Sequence, residues 1–252
     1  MQAEQLIEIL DSFLEAGIVE DYCPNGLQVE GNRDIRKIVA GVSASRKLFE
    51  MAMAENADAV LVHHGLLWHG SRAPRITGVF RQRLAMLFES GMSLIAYHLP
   101  LDRHMKVGNA AVMAQKLGLE KLEAFGRHRG VDIGVRGCFQ QPRKMDGVLE
   151  EIEGLCGRKP LCFGPREREI TSVGIITGAA QREYFQAVEA GLDVYITGEV
   201  SEWVFQQAPE EGVPFIAAGH YATEKFGIQA LGRWLEEEQG LEVRFIDLPN
   251  PI

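Results

Sequence analysis

One strand–helix–strand pattern is written twice in this chain, and that repetition limits the folds open to it. Ile38 to Val42 (IVAGV) reads as a buried strand, Arg46 to Asn56 as a helix, and Ala59 to Val62 as a second strand. Val173 to Thr177 (VGIIT), Gln181 to Ala190 and Asp193 to Thr197 (DVYIT) repeat that order. At a constant shift of 135, Ile38 meets Val173, Ala44 meets Ala179, Lys47 meets Arg182 and Phe49 meets Tyr184. Ala52 then meets Ala187, Asp58 meets Asp193, and Leu61 meets Ile196. The segments SLIAYH, ending at His98, and PFIAAGH, ending at His220, also rhyme, with one residue inserted in the second. Strands joined by helices run parallel, so two similar α/β halves are expected, the product of an internal duplication. Their boundary is placed between Leu119 and Gly134, where charge and glycine rise, giving domains 1–125 and 126–252. The sheets are expected to be mixed, because VRGCF after Gly134 and the closing VRFID read as antiparallel additions.

Other segments fill in the frame. Gln5 to Leu14 has an apolar face at helical spacing, Leu27 to Val29 is a short strand after the Pro24-Asn25-Gly26 turn, and Ser43 or Ser45 can cap the helix at Arg46. Phe80 to Ser90 and Asn109 to Leu117 read as helices, Leu94 to Tyr97 as a strand, and Tyr221 to Glu238 as a long helix closed by Gly240.

With 252 residues, 46% hydrophobic and 24% charged, the chain can bury a sizeable core and is not disordered. Its net charge of −9 argues against a broad nucleic-acid surface, although a bound cation can reverse the sign locally. No run of apolar residues is long enough to span a bilayer, and MQAEQLIEIL lacks the basic start of a signal peptide. Cys23, Cys138, Cys156 and Cys162 form no CxxC pair and read as free thiols, so the cytoplasm is the expected compartment.

The histidines carry the chemistry. His63 and His64, His98 and His220 each stand at the C-terminal end of a strand, the edge where open α/β sheets bind ligands. Neighbouring side chains on a strand point to opposite faces, so His63 and His64 can aim at one point only where the strand gives way, which Gly65 permits. Asp102 lies four residues past His98, and Glu224 four past His220 at a helix start, where both project from one face. Singly, each is an ordinary polar residue. Together they form a nitrogen and oxygen donor set without thiolate, suited to Zn, Mn, Fe, Co or Ni and too large for one tetrahedral ion. Two ions sharing a carboxylate about 3.5–4 Å apart would use it, activating a water and clamping a leaving oxygen.

Here VHHG (Val62 to Gly65), YHLPLD (Tyr97 to Asp102), TGEVSE (Thr197 to Glu202), GHYATE (Gly219 to Glu224), DLPNP (Asp247 to Pro251) and PNGLQVEG (Pro24 to Gly31) resemble the Nif-three-like family. Its members are dinuclear-metal-centre proteins often labelled GTP cyclohydrolase type 2 homologues. The likeness covers the whole chain and extends to the family's short bacterial form, which lacks the domain inserted between the halves of longer members. It implies two similar, interlocked α/β domains with mixed sheets, assembled as a toroidal homohexamer (a trimer of dimers) whose dimetal sites face an inner cavity. It makes His63, His64, Asp102, His220 and Glu224 the ligands of two divalent metal ions per chain. His64 and Asp102 would hold one ion, His63 and His220 the other, with Glu224 as the bridge. No family pattern is broken at these five positions.

The expected function is a metal-dependent hydrolase acting on a nucleotide or related small phosphorylated molecule. His98 or Glu199 would pass a proton to the leaving group, and Glu202 is a further candidate for substrate contact. No GxxxxGK[ST] motif is present, so a P-loop does not hold that nucleotide. The competing reading is a metal-binding ring that acts as a scaffold or regulator without turnover; an architectural DNA-binding ring fits a toroid but not the charge. His69 and His104 are candidate lining residues, and His128 is expected to face solvent. Met51, Met53, Met86, Met92, Met113 and Trp234 read as packing, Glu236 to Glu238 as a solvated helix end, and Arg158 to Arg168 as a mixed-charge loop with room for an anion.

Overall fold

The computed structural model describes residues 1–69 and 75–252. By contact the described chain forms two compact units, residues 1–101 with 228–248, and residues 102–227 with 249–252. Each is built on its own sheet.

In the first unit, α1 (Ala3–Leu14) precedes β1 (Gly26–Val29), β2 (Lys37–Ser43), α2 (Arg46–Ala54), β3 (Ala59–His64), α3 (Gly78–Ser90) and β4 (Ser93–Ala96). The short helix α4 (Leu99–Asp102) leads out to α5 (Asn109–Lys116), β5 (Glu120–His128), β6 (Val131–Lys144), α6 (Met145–Cys156), β7 (Leu161–Phe163) and β8 (Glu169–Ile175). A 3₁₀ turn at Gln181–Glu183 opens α7 (Tyr184–Glu189), followed by β9 (Val194–Thr197), α8 (Val204–Glu211), β10 (Phe215–Ala217), α9 (His220–Gln239) and β11 (Glu242–Phe245).

The first sheet has the order β1-β4-β3-β2-β11. Its strands β2, β3 and β4 are parallel and almost wholly apolar, as expected of strands covered on both faces. Leu6, Leu10 and Leu14 of α1 are fully buried, and the side chain of Ser45 caps α2 by accepting from the Leu48 amide at 3.2 Å. The second sheet has the order β5-β6-β8-β9-β10-β7, with β8, β9 and β10 parallel.

The two sheets share one plan. An antiparallel strand, β1 or β7, comes before the three parallel strands in the chain and pairs with the last of them, β4 or β10. The register repeats as well. Ile38 lies opposite Ala59 and Ala40 opposite Leu61, while Val173 lies opposite Val194 and Ile175 opposite Ile196, each partner displaced by the same 135 positions. Even the aspartates agree. Asp58 Oδ2 accepts from the amides of Arg36 and Lys37 at 2.9 and 3.0 Å, and Asp193 Oδ2 from those of Thr171 and Ser172 at 3.0 and 2.8 Å. Each aspartate holds the preceding strand just where its parallel pairing begins.

Some local expectations change. The closing VRFID strand, β11, runs parallel to β2 rather than antiparallel. The stretch from Leu119 to Gly134 holds β5 and the start of β6, paired antiparallel and turned at Arg129 and Gly130, both in left-handed conformation. VRGCF is antiparallel to both its neighbours, as expected. His128 is half-buried beside Glu183, its Nδ1 3.3 Å from Oε1, rather than facing solvent. Trp234 packs, stacked on Phe13 with ring centroids 3.8 Å apart. Met92 and Met113 are buried, while Met53 is exposed. All four cysteines are free, and no helix of the described residues is long and apolar enough to cross a membrane.

Candidate metal centre

In the first unit, β3 ends with His63 fully buried and His64 half-exposed, their ring centroids 4.7 Å apart. His98 follows β4 and brings its ring 5.0 Å from His63 and 5.7 Å from His64. One ligand atom from each of the three can be chosen so that all lie within 4.8 Å of one another.

The Nδ1 atoms are already engaged. His63 Nδ1 is 2.9 Å from the Tyr97 carbonyl, His64 Nδ1 is 2.9 Å from Ser43 Oγ, and His98 Nδ1 is 2.7 Å from Asp21 Oδ1. A carbonyl and a carboxylate can only accept, so His63 and His98 carry a proton on Nδ1, and Nε2 is the nitrogen through which either could bind an ion. A partner on the distal nitrogen is the usual way in which a metal-binding imidazole is oriented.

Asp21 was not singled out in the sequence, yet it organises this edge. It accepts from the amides of Cys23 at 3.1 Å and Leu99 at 2.8 Å, and from Asn25 Nδ2 at 3.0 Å, while Asn25 Oδ1 accepts from the His98 amide at 2.8 Å. Burial pushes its carboxyl up, but the His98 hydrogen bond and charge, with the Asn25 and Cys23 donors, outweigh burial and hold it at about 2. The Pro24-Asn25-Gly26 turn therefore serves to fix His98. Gly65 has a similar local cause, because a Cβ there would collide with the Gln28 amide. Gln28 Oε1 accepts from Leu66 N at 2.7 Å and Leu67 N at 3.2 Å, holding the loop after His64.

In the second unit, His220 and Glu224 occupy the first turn of α9. His220 Nε2 is 2.9 Å from Glu224 Oε2, and its Nδ1 is 2.6 Å from Glu199 Oε1. Burial lowers the affinity of His220 for a proton, but the Glu224 and Glu199 carboxylates prevail and push it up to about 9. Glu224 is almost fully buried, and its carboxylate lies over Gly178, whose φ is +68° and where a Cβ would strike Oε1. Asp102, also buried, accepts from Asn109 Nδ2 at 2.8 Å and Thr177 Oγ1 at 3.3 Å. Asn109 Oδ1 in turn accepts from the Gly227 amide at 2.6 Å.

The donor chemistry fits divalent ions of borderline hardness. It offers imidazole and carboxylate without thiolate, in half-buried and buried places, with distal atoms tied back. His98 and His220 occupy matching positions, each just past the last parallel strand, each with Nδ1 on a carboxylate, and each with an acid four residues on. Glu202 is exposed on the turn before α8. His104 Nδ1 accepts from Val107 N at 3.2 Å, a local turn contact, and His69 is exposed. The mixed-charge loop borders a cavity of about 570 Å³ where Lys144, Arg166 and Arg168 are matched by Asp146, Glu167 and Glu169, a balance that does not select an anion.

Known proteins resemble this chain over its whole length. The family model described as Duf34/NIF3 (NGG1p interacting factor 3) matches residues 1–251. A Pasteurella multocida protein named GTP cyclohydrolase 1 type 2 homolog is 44% identical over 252 residues, all of both chains. A Pseudomonas aeruginosa protein of the same name is 43% identical, with 98% of this chain and 97% of the relative covered. Among solved structures, the protein YbgI, described as of unknown function, superposes over all of both chains with a TM-score of 0.91 at 41% identity. Reduced HcgD from Methanocaldococcus jannaschii superposes with a TM-score of 0.85 at 25% identity over 98% of each chain.

Proposed function

Because the chain belongs to the DUF34/NIF3 family, we propose that it is a dinuclear-metal-dependent hydrolase of a nucleotide, acting in the cytoplasm as a homohexamer built as a trimer of dimers. On this reading His64 and Asp102 would hold one divalent ion and His63 and His220 the other, with Glu224 shared between them. The observation that carries the metal is the imidazole set of the first unit, in which each Nδ1 already has an oxygen partner. The printed name of the bacterial relatives supports a nucleotide substrate.

Divalent ions in such a set supply Lewis acidity and bring the pKa of water to near 7. The chain's own residues position and protonate. Asp21 holds the His98 ring with Nε2 available, and Glu199 holds His220 through Nδ1. As water adds across the scissile bond, His98 Nε2 or the Glu199 carboxylate would take the proton that the water releases and pass it to the leaving group.

Elemental analysis of gently purified protein, paired with its mass in solution, tests this reading. About two equivalents of transition metal per chain in a particle of six chains are expected. His64→Ala, Asp102→Ala and Glu224→Ala are expected to lose metal and turnover of GTP or a modified nucleotide together, and to keep the particle. A metal-free variant with normal turnover would sink the hydrolase. A particle that falls apart on chelation, with no turnover before it, would favour the scaffold.

A further inference from the structure

The histidine cluster of the first unit has an aromatic rim that metal binding does not use. The Trp68 indole meets the His98 ring edge to face, with centroids 5.3 Å apart and planes at 76°, and it lies 6.0 Å from His64. Tyr22 stands 6.5 Å from the same His98 ring. Trp68 nevertheless remains 38% exposed. An indole is a large apolar group, and leaving it at the surface forgoes the burial that usually explains its presence.

The ring is also tethered. Its one polar atom, Nε1, donates to the Gly65 carbonyl at 3.1 Å, one residue past His64. Gln28 clamps the same loop through the Leu66 and Leu67 amides, and its Nε2 donates to the Pro24 carbonyl at 2.8 Å. A side chain fixed in this way has already lost its rotamer freedom, so a flat ligand placed on it loses little more. A heteroaromatic base gains from stacking on such a surface and does so without regard to base identity, whereas a phosphate has no flat apolar face to lay on it.

We propose that Trp68 is a stacking platform for the base of a nucleotide ligand, and that it makes the site discriminate base-bearing phosphates from base-free ones. This rests on the nucleotide reading above and deepens it by assigning the base a residue of its own.

The test is calorimetric titration of the protein, as purified, with guanosine 5′-monophosphate and with ribose 5-phosphate. It compares wild type with Trp68→Phe and Trp68→Ala, each checked for metal content and melting temperature. Trp68→Ala should weaken guanosine monophosphate binding by about tenfold or more, and Trp68→Phe by less than about threefold. Ribose 5-phosphate affinity and metal content should not change in either variant. Equal binding of guanosine monophosphate by Trp68→Ala and wild type would overturn the proposal, as would an equal loss of both ligands. Wild-type protein that takes ribose 5-phosphate as tightly as guanosine monophosphate overturns the platform and leaves a phosphate site standing. If wild type takes neither, the nucleotide reading itself fails, and the platform with it.

Discussion

A single methyl group at Gly178 would be enough to disturb the buried carboxylate of Glu224. The residue sits at φ +68°, where an L side chain is strained, and its Cβ would collide with Oε1. Gly178→Ala is therefore expected to cost roughly 1–3 kcal/mol of stability, and to lower metal content although no ligand is changed. Melting curves and elemental analysis on one preparation check both. The histidines and acids of the candidate site were legible because each stands where a one-dimensional rule applies, at the end of an apolar strand or one helical turn from a histidine, while the choice of five ligands among them came from the family resemblance. Asp21 and Asn109 were not. Their partners, His98 and Gly227, lie 77 and 118 residues away, and nothing local marks a residue as one half of so distant a hydrogen bond.

Among the elements, the parallel strands depend on the two aspartates that tie their starts together. Burial pushes the Asp193 carboxyl up, but the Ser172 and Thr171 amides, the Ser172 hydroxyl and Arg168 outweigh it and hold it below the ordinary value. A carboxyl lowered on folding stabilises fully above its unfolded pKa, about 3.9, and that contribution drains away as pH falls through the folded value. Asp193→Asn is expected to lose about 2 kcal/mol at pH 7. The gap in melting temperature from wild type should narrow steadily below about pH 4; a gap of constant size from pH 7 to 3 would refute the charge as its source. The match of Asp58 with Asp193 was visible in the sequence as one of three identities among seven aligned pairs. Its physical meaning was not, since only the pairing of β2 with β3 and β8 with β9 shows both carboxylates doing one job. The strand β5 was hidden for a different reason. Its run EKLEAFGRH is largely charged and exposed, and lacks the apolar signature that revealed the others.

On the scale of the whole molecule, the first unit is discontinuous. It takes residues 228–248 from the far end of the chain, including β11 on the edge of its sheet and the fully buried Leu231 and Leu235. A chain ending at Gly227 is expected to keep slow hydrogen exchange in β8 and β9 while the amides of β2 and β3 exchange rapidly. Equal protection of both sheets would show that the first unit does not need its returning segment. Hydrophobic periodicity revealed the helix and strand that make this return. It carries no information about which sheet a late strand joins, and direction was misjudged for the same reason.

Discontinuity also sets an order in time. A chain made from its N-terminus contains all of 102–227 before residue 228 exists, so the last strand of the second sheet emerges ahead of β11, the edge for which the first sheet still waits. Protein synthesis thus completes the middle of this molecule before its beginning, and the histidines at the end of β3 come to rest in a finished sheet only when the last turns of α9 and the strand after it have left the ribosome.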